Sequence, residues 1–202
     1  MAPRRIVVGI SGASGVIFGV RLLELLRPTE VETHLVMTKA AEMTLGYETD
    51  RTVDQVKALA DHVHAVRNVA APLSSGSFRT DGMIVAPCSI RSLSEIATGA
   101  TSNLLTRAAD VVLKERRRLV LLVREAPLHL GHLRSMTAAA EMGAVILPPV
   151  PAFYAKPATL DDMVVQILGR ALDLFDVDIG IRRWGEGADV EQKAGAGPRN
   201  PR

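Results

Sequence analysis

The residues that could do chemistry sit in a few short stretches, the first of them Gly9-Ile-Ser-Gly-Ala-Ser-Gly15. Three glycines at this spacing follow a β-branched run and open an amphipathic one. They predict a tight strand-to-helix turn whose N–H groups and helix dipole favour an anion. A phosphate-like group is the expected guest, and Ser11 and Ser14 add hydroxyls; packing alone would also account for the glycines. The spacing is neither the dinucleotide fingerprint nor a Walker A loop, which needs Gly-Lys-Ser/Thr. The second strand ends in Thr38-Lys39, where a dinucleotide site would place an acid for the ribose. NAD and ATP are both disfavoured.

The remaining candidates are weaker alone. Cys88 follows Pro87 at a strand end, an exposed-looking place for a nucleophile, with no base placed beside it by the sequence. His129 and His132 lack a nearby third metal ligand. Lys114-Glu-Arg-Arg-Arg118 reads as a solvated charged face. Glu48 reads as a loop acid before an N-cap at Asp50 or Thr52.

Strands must alternate with helices to position these groups. Strands are expected over 5–10, 31–37, 82–86 (stopped at Pro87), 119–123 and 144–147. Helices are expected over 16–26, 39–46, 52–59, 93–97, 103–116, 130–142 and 160–175. Runs such as Leu119 to Val123, apolar on both faces, mark a parallel sheet covered on each side. The fold class is therefore α/β: a three-layer, mostly parallel sheet with helices on both faces. Residues 1–184 are expected to form one domain, with a stiff proline linker at 148–151 that cannot be helix interior, and 185–202 are expected to form a disordered tail.

The 202 residues are 48% hydrophobic, enough for one sizeable core. Lys and Arg number 24 against 22 Asp and Glu, so a polyanionic nucleic-acid partner is disfavoured. No apolar run reaches the roughly 18 residues of a membrane span and no signal peptide is evident, so a cytoplasmic location is expected. A single cysteine excludes an internal disulfide and a multi-thiolate metal site.

The glycine turn belongs to an ordered series: the Leu45 to Asp50 stretch, Pro87-Cys-Ser-Ile-Arg91, Leu105-Thr-Arg-Ala-Ala-Asp110, Lys114-Glu-Arg, Val123-Arg-Glu125, Pro127-Leu-His-Leu-Gly-His132 and Pro148-Pro-Val-Pro-Ala-Phe-Tyr154. Across residues 4–184 this series resembles the UbiX-type flavin prenyltransferases, formerly described as aromatic acid decarboxylases. The resemblance implies a flavodoxin-like (Rossmann-like) fold, binding of reduced FMN and transfer of a dimethylallyl group from dimethylallyl phosphate to flavin N5 and C6, with no metal. The product would serve a UbiD-type decarboxylase, and a homo-oligomer, commonly a dodecamer, is implied. An FMN-binding small subunit or carrier of a hydroxyarylic acid decarboxylase is the alternative. A flavoprotein decarboxylase is a third reading.

Position by position, the resemblance assigns Gly12, Ala13, Ser14, Thr38, Ser89, Ile90, Arg91, Ser92 and Arg124 to FMN. It assigns Arg107, Lys114, Arg124, Tyr154 and Arg170 to dimethylallyl phosphate, whose leaving oxygens need donors as the carbon departs with cationic character. Glu48, Ser14 and Glu125 become the candidates for proton transfer, with the leaving phosphate as another base. Thr38 and Arg91 stand where relatives often carry Ser and Lys. Trp184 matches a late family tryptophan that can help cover the site. The turn after Pro87 lacks the Pro-Ala-Ser-Ala-Asn-Thr segment of the related cysteine-peptide decarboxylases, which disfavours that chemistry.

Overall fold

A computed structural model describes residues 3–185. β-Branched and aliphatic runs form six parallel strands: β1 (Arg4–Ile10), β2 (Val31–Met37), β3 (His62–His64), β4 (Gly82–Cys88), β5 (Arg118–Val123) and β6 (Ala144–Ile146), in the order β3-β2-β1-β4-β5-β6. Without its three-residue edge strand β3, the sheet keeps the flavodoxin order.

Because successive side chains of a strand point to opposite faces, each central strand feeds two cores. Ile6, Val8 and Ile10 join Ile84, Ala86, Val120 and Leu122 on one face. Val7 joins Met83, Val85, Leu119 and Leu121 on the other. The first face is covered by α1 (Ile17–Leu26), α2 (Lys39–Glu48), α3 (Val53–Lys57) and α7 (Leu160–Asp173). The second is covered by α4 (Ile90–Thr98), α5 (Leu104–Lys114) and α6 (Leu130–Glu141). This three-layer arrangement is the expected fold class.

Four expectations need correction. β4 does not stop at Pro87 but runs to Cys88; the register with β5 shifts between Val85 and Cys88, so the proline falls at an irregularity where its missing N–H is tolerated. α2 continues past Gly46 to Glu48, where Thr49 ends it in an extended conformation. The helix over 52–59 shortens to α3, started by a Thr52–Gln55 capping box. β3 was not expected. Residues 147–152 carry no regular structure. The tail expectation, Gly185 apart, lies outside the described residues. Among the described residues no helix is long and apolar enough to cross a membrane.

Candidate active site

The glycine turn, the start of α2 and the turn after β4 meet at the carboxyl ends of β1, β2 and β4, where ligands enter an open α/β sheet. Ser11 ties two of them together: fully buried, its Oγ donates to the Pro87 carbonyl at 2.9 Å and accepts from the Ser89 N–H at 2.7 Å. It is therefore a clip between loops, not a phosphate donor. Gly12 lies so close to α2 that an added Cβ would sit 2.3 Å from the Ala40 Cβ. Thr38 Oγ1 caps α2 by accepting from the Ala41 N–H at 3.1 Å.

Glu48 departs from its loop-acid reading. As the last residue of α2, it turns its Oε2 onto the N–H groups of Gly15 (2.8 Å) and Val16 (3.0 Å). A carboxylate of the chain itself takes the place at the start of α1 where an external anion was expected. Charge-assisted capping of this kind fixes the turn and complements the helix dipole. Oε1 makes no hydrogen bond among the described residues.

The rest of the rim carries polar groups directed outward. Ser14 is exposed. Ser89 caps α4, its Oγ accepting from the Ser92 N–H at 3.2 Å, and Ile90 opens that helix. Arg91 is largely exposed and pairs with Glu95 at 3.0 Å. Arg124 continues from β5, its N–H donating to the Cys88 carbonyl at 3.1 Å; its guanidinium has no partner among the described residues. Glu125 Oε1 accepts from the Ala126 N–H at 3.0 Å. Hydroxyls, backbone donors, Ala13 in the turn and an unpaired guanidinium on one rim suit a phosphorylated polyol, and they fit FMN.

Cys88 is wholly buried, and burial pushes its thiol up to about 12, so it stays protonated at neutral pH. This corrects the exposed-looking reading. His129 spends Nδ1 accepting from the Gly131 N–H at the start of α6.

The basic candidates do not converge within one chain. Tyr154 lies in a short 3-10 turn (Phe153–Ala155), with its ring edge-on to Trp184 at 5.5 Å. Arg107 is drawn along α5 to Asp110 (2.5 Å) and the Ser74 carbonyl (3.2 Å). Lys114 ends α5 beside Glu115, at 2.6 Å, and lines a cleft of about 580 Å³ with Arg116, Arg117 and Gly143. That cleft lies where β5 begins, at the pole opposite the rim. Arg170 occupies the last turn of α7, paired with Asp173 at 2.6 Å; α7 leads into Phe175, whose carbonyl accepts from Arg4 at the start of β1. Arg124 and Tyr154 thus lie on the carboxyl side of the sheet, whereas Lys114 and Arg170 lie toward the amino side.

A flavoprotein family model matches residues 1–172. The flavin prenyltransferase UbiX of Escherichia coli K12 is 62% identical over 177 residues, covering 87% of this chain and 94% of that protein. The chain belongs to the UbiX flavin prenyltransferases. Thauera aromatica UbiX is 58% identical over 181 residues, 89% of this chain and 93% of the relative. Among solved structures, a UbiX in complex with FMN and dimethylallyl pyrophosphate superposes with a TM-score of 0.89 at 55% identity, covering 91% of this chain and 98% of the other. A dodecameric FMN-dependent UbiX-like decarboxylase from E. coli O157:H7 gives 0.87 at 50% identity, with coverages of 89% and 98%. For this UbiX-family chain, sequence reasoning missed the internal capping role of Glu48 and the clip made by Ser11. The Glu48 contact joins residues 33 positions apart, and only a helix running to its end would have signalled it.

Proposed function

We propose that the protein is a flavin prenyltransferase joining the dimethylallyl group of dimethylallyl phosphate to N5 and C6 of reduced FMN. The observation that carries this reading is that a chain 62% identical to a UbiX enzyme carries Arg107, Lys114, Tyr154 and Arg170 as well as the residues of the flavin rim. A carrier would need the rim alone. Reduced FMN supplies the nucleophilic ring atoms. Gly12 to Ser14, Thr38, Ser89 to Ser92 and Arg124 hold it at the strand ends.

The allylic C–O bond breaks with its electron pair leaving on phosphate, so the basic groups and the Tyr154 hydroxyl stabilise charge that grows as the bond opens. Attack from N5 makes the first new bond as the N5 proton leaves; a proton from the released phosphate or a neighbouring acid then adds to the allyl double bond, and closure of C6 onto the resulting tertiary cation makes the second. The C6 proton must then leave, to a carboxylate or to the released phosphate. Glu48 Oε1 is open for it while Oε2 holds the loop; Ser14 relays hydrogen bonds near N5, and Glu125 is the neighbouring acid. Lys114 and Arg170, remote from the rim of their own chain, complete the site of a neighbouring copy in a homo-oligomer, in line with the dodecameric relative. A UbiD-type decarboxylase receives the product.

The test is anaerobic incubation with reduced FMN and dimethylallyl phosphate, followed by mass spectrometry of the flavin. One added five-carbon unit is expected. Tyr154→Phe and Arg170→Ala should raise KM for the phosphate at least about tenfold, the effect of losing about 1.4 kcal/mol of binding, with FMN binding unchanged. Bound FMN that gains no mass would favour the carrier reading.

A further inference from the structure

On the face of the sheet that carries α5, the edge strands assemble a cluster that the flavin chemistry does not use. Residues two apart on a strand share a face. Glu32 and His34 on β2 therefore lie beside His62 and His64 on β3, with His34 directly opposite His62 and Val36 opposite His64. His34 Nε2 is 2.9 Å and His62 Nε2 3.3 Å from one oxygen, Glu32 Oε1. The ligand atoms of these three residues all lie within 4.8 Å of one another. A tetrahedral zinc ion with bonds of about 2.0–2.1 Å separates its ligand atoms by about 3.3 Å, so the set is close to coordinating geometry.

The surroundings favour the same reading. His34 is buried and its Nδ1 is 3.0 Å from His64 Nε2. An Nδ1–H donated to His64 leaves the Nε2 lone pair of His34 aimed at the cluster, the arrangement by which outer partners fix a ligating imidazole. The Phe78 ring stands edge-on to His34 at 5.1 Å and walls one side. His62 is half-exposed at the sheet edge and leaves a route in from solvent. Arg5 Nε also reaches Glu32 Oε1, at 3.1 Å, so ion entry exchanges a charge-assisted hydrogen bond for a metal bond.

We infer that Glu32, His34 and His62 form a binding site for a divalent transition ion of the zinc class, with His64 as a positioning residue and water as the fourth ligand. Two imidazoles and one carboxylate suit such an ion better than magnesium or calcium, which take oxygen ligands. The site lies four residues before Thr38 along β2, about 13 Å from the flavin rim at strand rise. It pins the short edge strand β3 to β2 and takes no part in prenyl transfer.

The test is equilibrium dialysis of the full FMN-loaded protein against zinc chloride, beside the visible absorption of added Co2+. One ion per chain is expected in the wild type and in a His129→Ala/His132→Ala variant, which removes the other close histidine pair, with rings 3.6 Å apart. His62→Ala, a change at the exposed edge, should abolish both signals. His64→Ala should keep the ion at about 10–100-fold lower affinity. Zinc retained by His62→Ala, or lost with the His129 and His132 pair, would overturn the assignment.

Discussion

At the scale of single residues, Glu48 holds the Gly15–Val16 turn with one oxygen and leaves the other for the proposed proton transfer. The two roles separate by substitution. Glu48→Gln keeps an acceptor for the Gly15 and Val16 N–H groups but removes the proposed base. It should leave FMN affinity and Tm nearly unchanged while slowing adduct formation or ring closure at least tenfold. Glu48→Ala removes both and should in addition destabilise the protein by about 0.5–2 kcal/mol, the usual cost of a lost helix cap. Calorimetry and single-turnover kinetics distinguish the two. Glu48 was legible as a candidate only through the family motif, because nothing near it in sequence announces a partner at Gly15. Ser11 is the converse case. Its type and place pointed to a ligand, but the fold spends it on Pro87 and Ser89.

At the scale of elements, Glu42 joins α2 to α3 by accepting from Lys39 (2.6 Å) and Lys57 (3.1 Å). Burial opposes its charge, and the hydrogen bonds from the two lysines outweigh that, so the carboxyl is held below its ordinary value near 4.5. A group that loses its proton more readily when folded contributes stability that is present above pH 4.5 and lost as pH falls through the lowered folded value. Glu42→Gln should therefore flatten the stability profile below pH 4.5 and lower stability above it, as followed by urea denaturation. On α7, a Cβ at Gly169 would lie 2.2 Å from Ile181 Cγ2. A β-branched side chain cannot swing aside, so Gly169→Ala should lift the segment around Ile181 at a cost of about 1–3 kcal/mol, despite a better helix propensity. Trp184, the protein's one tryptophan, reports the change through its emission as it leaves Tyr154. The long elements were legible because each carries a full apolar period. β3 was not, because three residues with alternating histidines look like a loop until β2 supplies the pairing.

At the scale of the whole molecule, the parallel sheet covered on both faces was legible in the apolar runs and the tight turn that opens α1 in the glycines, whereas the order of the strands was not. The basic candidates did not sort by sequence, since an arginine in the last turn of a helix reads as solvated whether it faces water or another copy. Their division between two poles gives the assembly a property best put in genetic terms. Two damaged alleles, one carrying Glu48→Gln and the other Arg170→Ala, each spoil every site when expressed alone. If each site takes its rim from one chain and its phosphate grip from another, random co-assembly in a closed symmetric oligomer restores about one site in four. The two impaired preparations, dissociated and reassembled together, should regain activity above that of either alone, whereas a site built within one chain would stay impaired in the mixture.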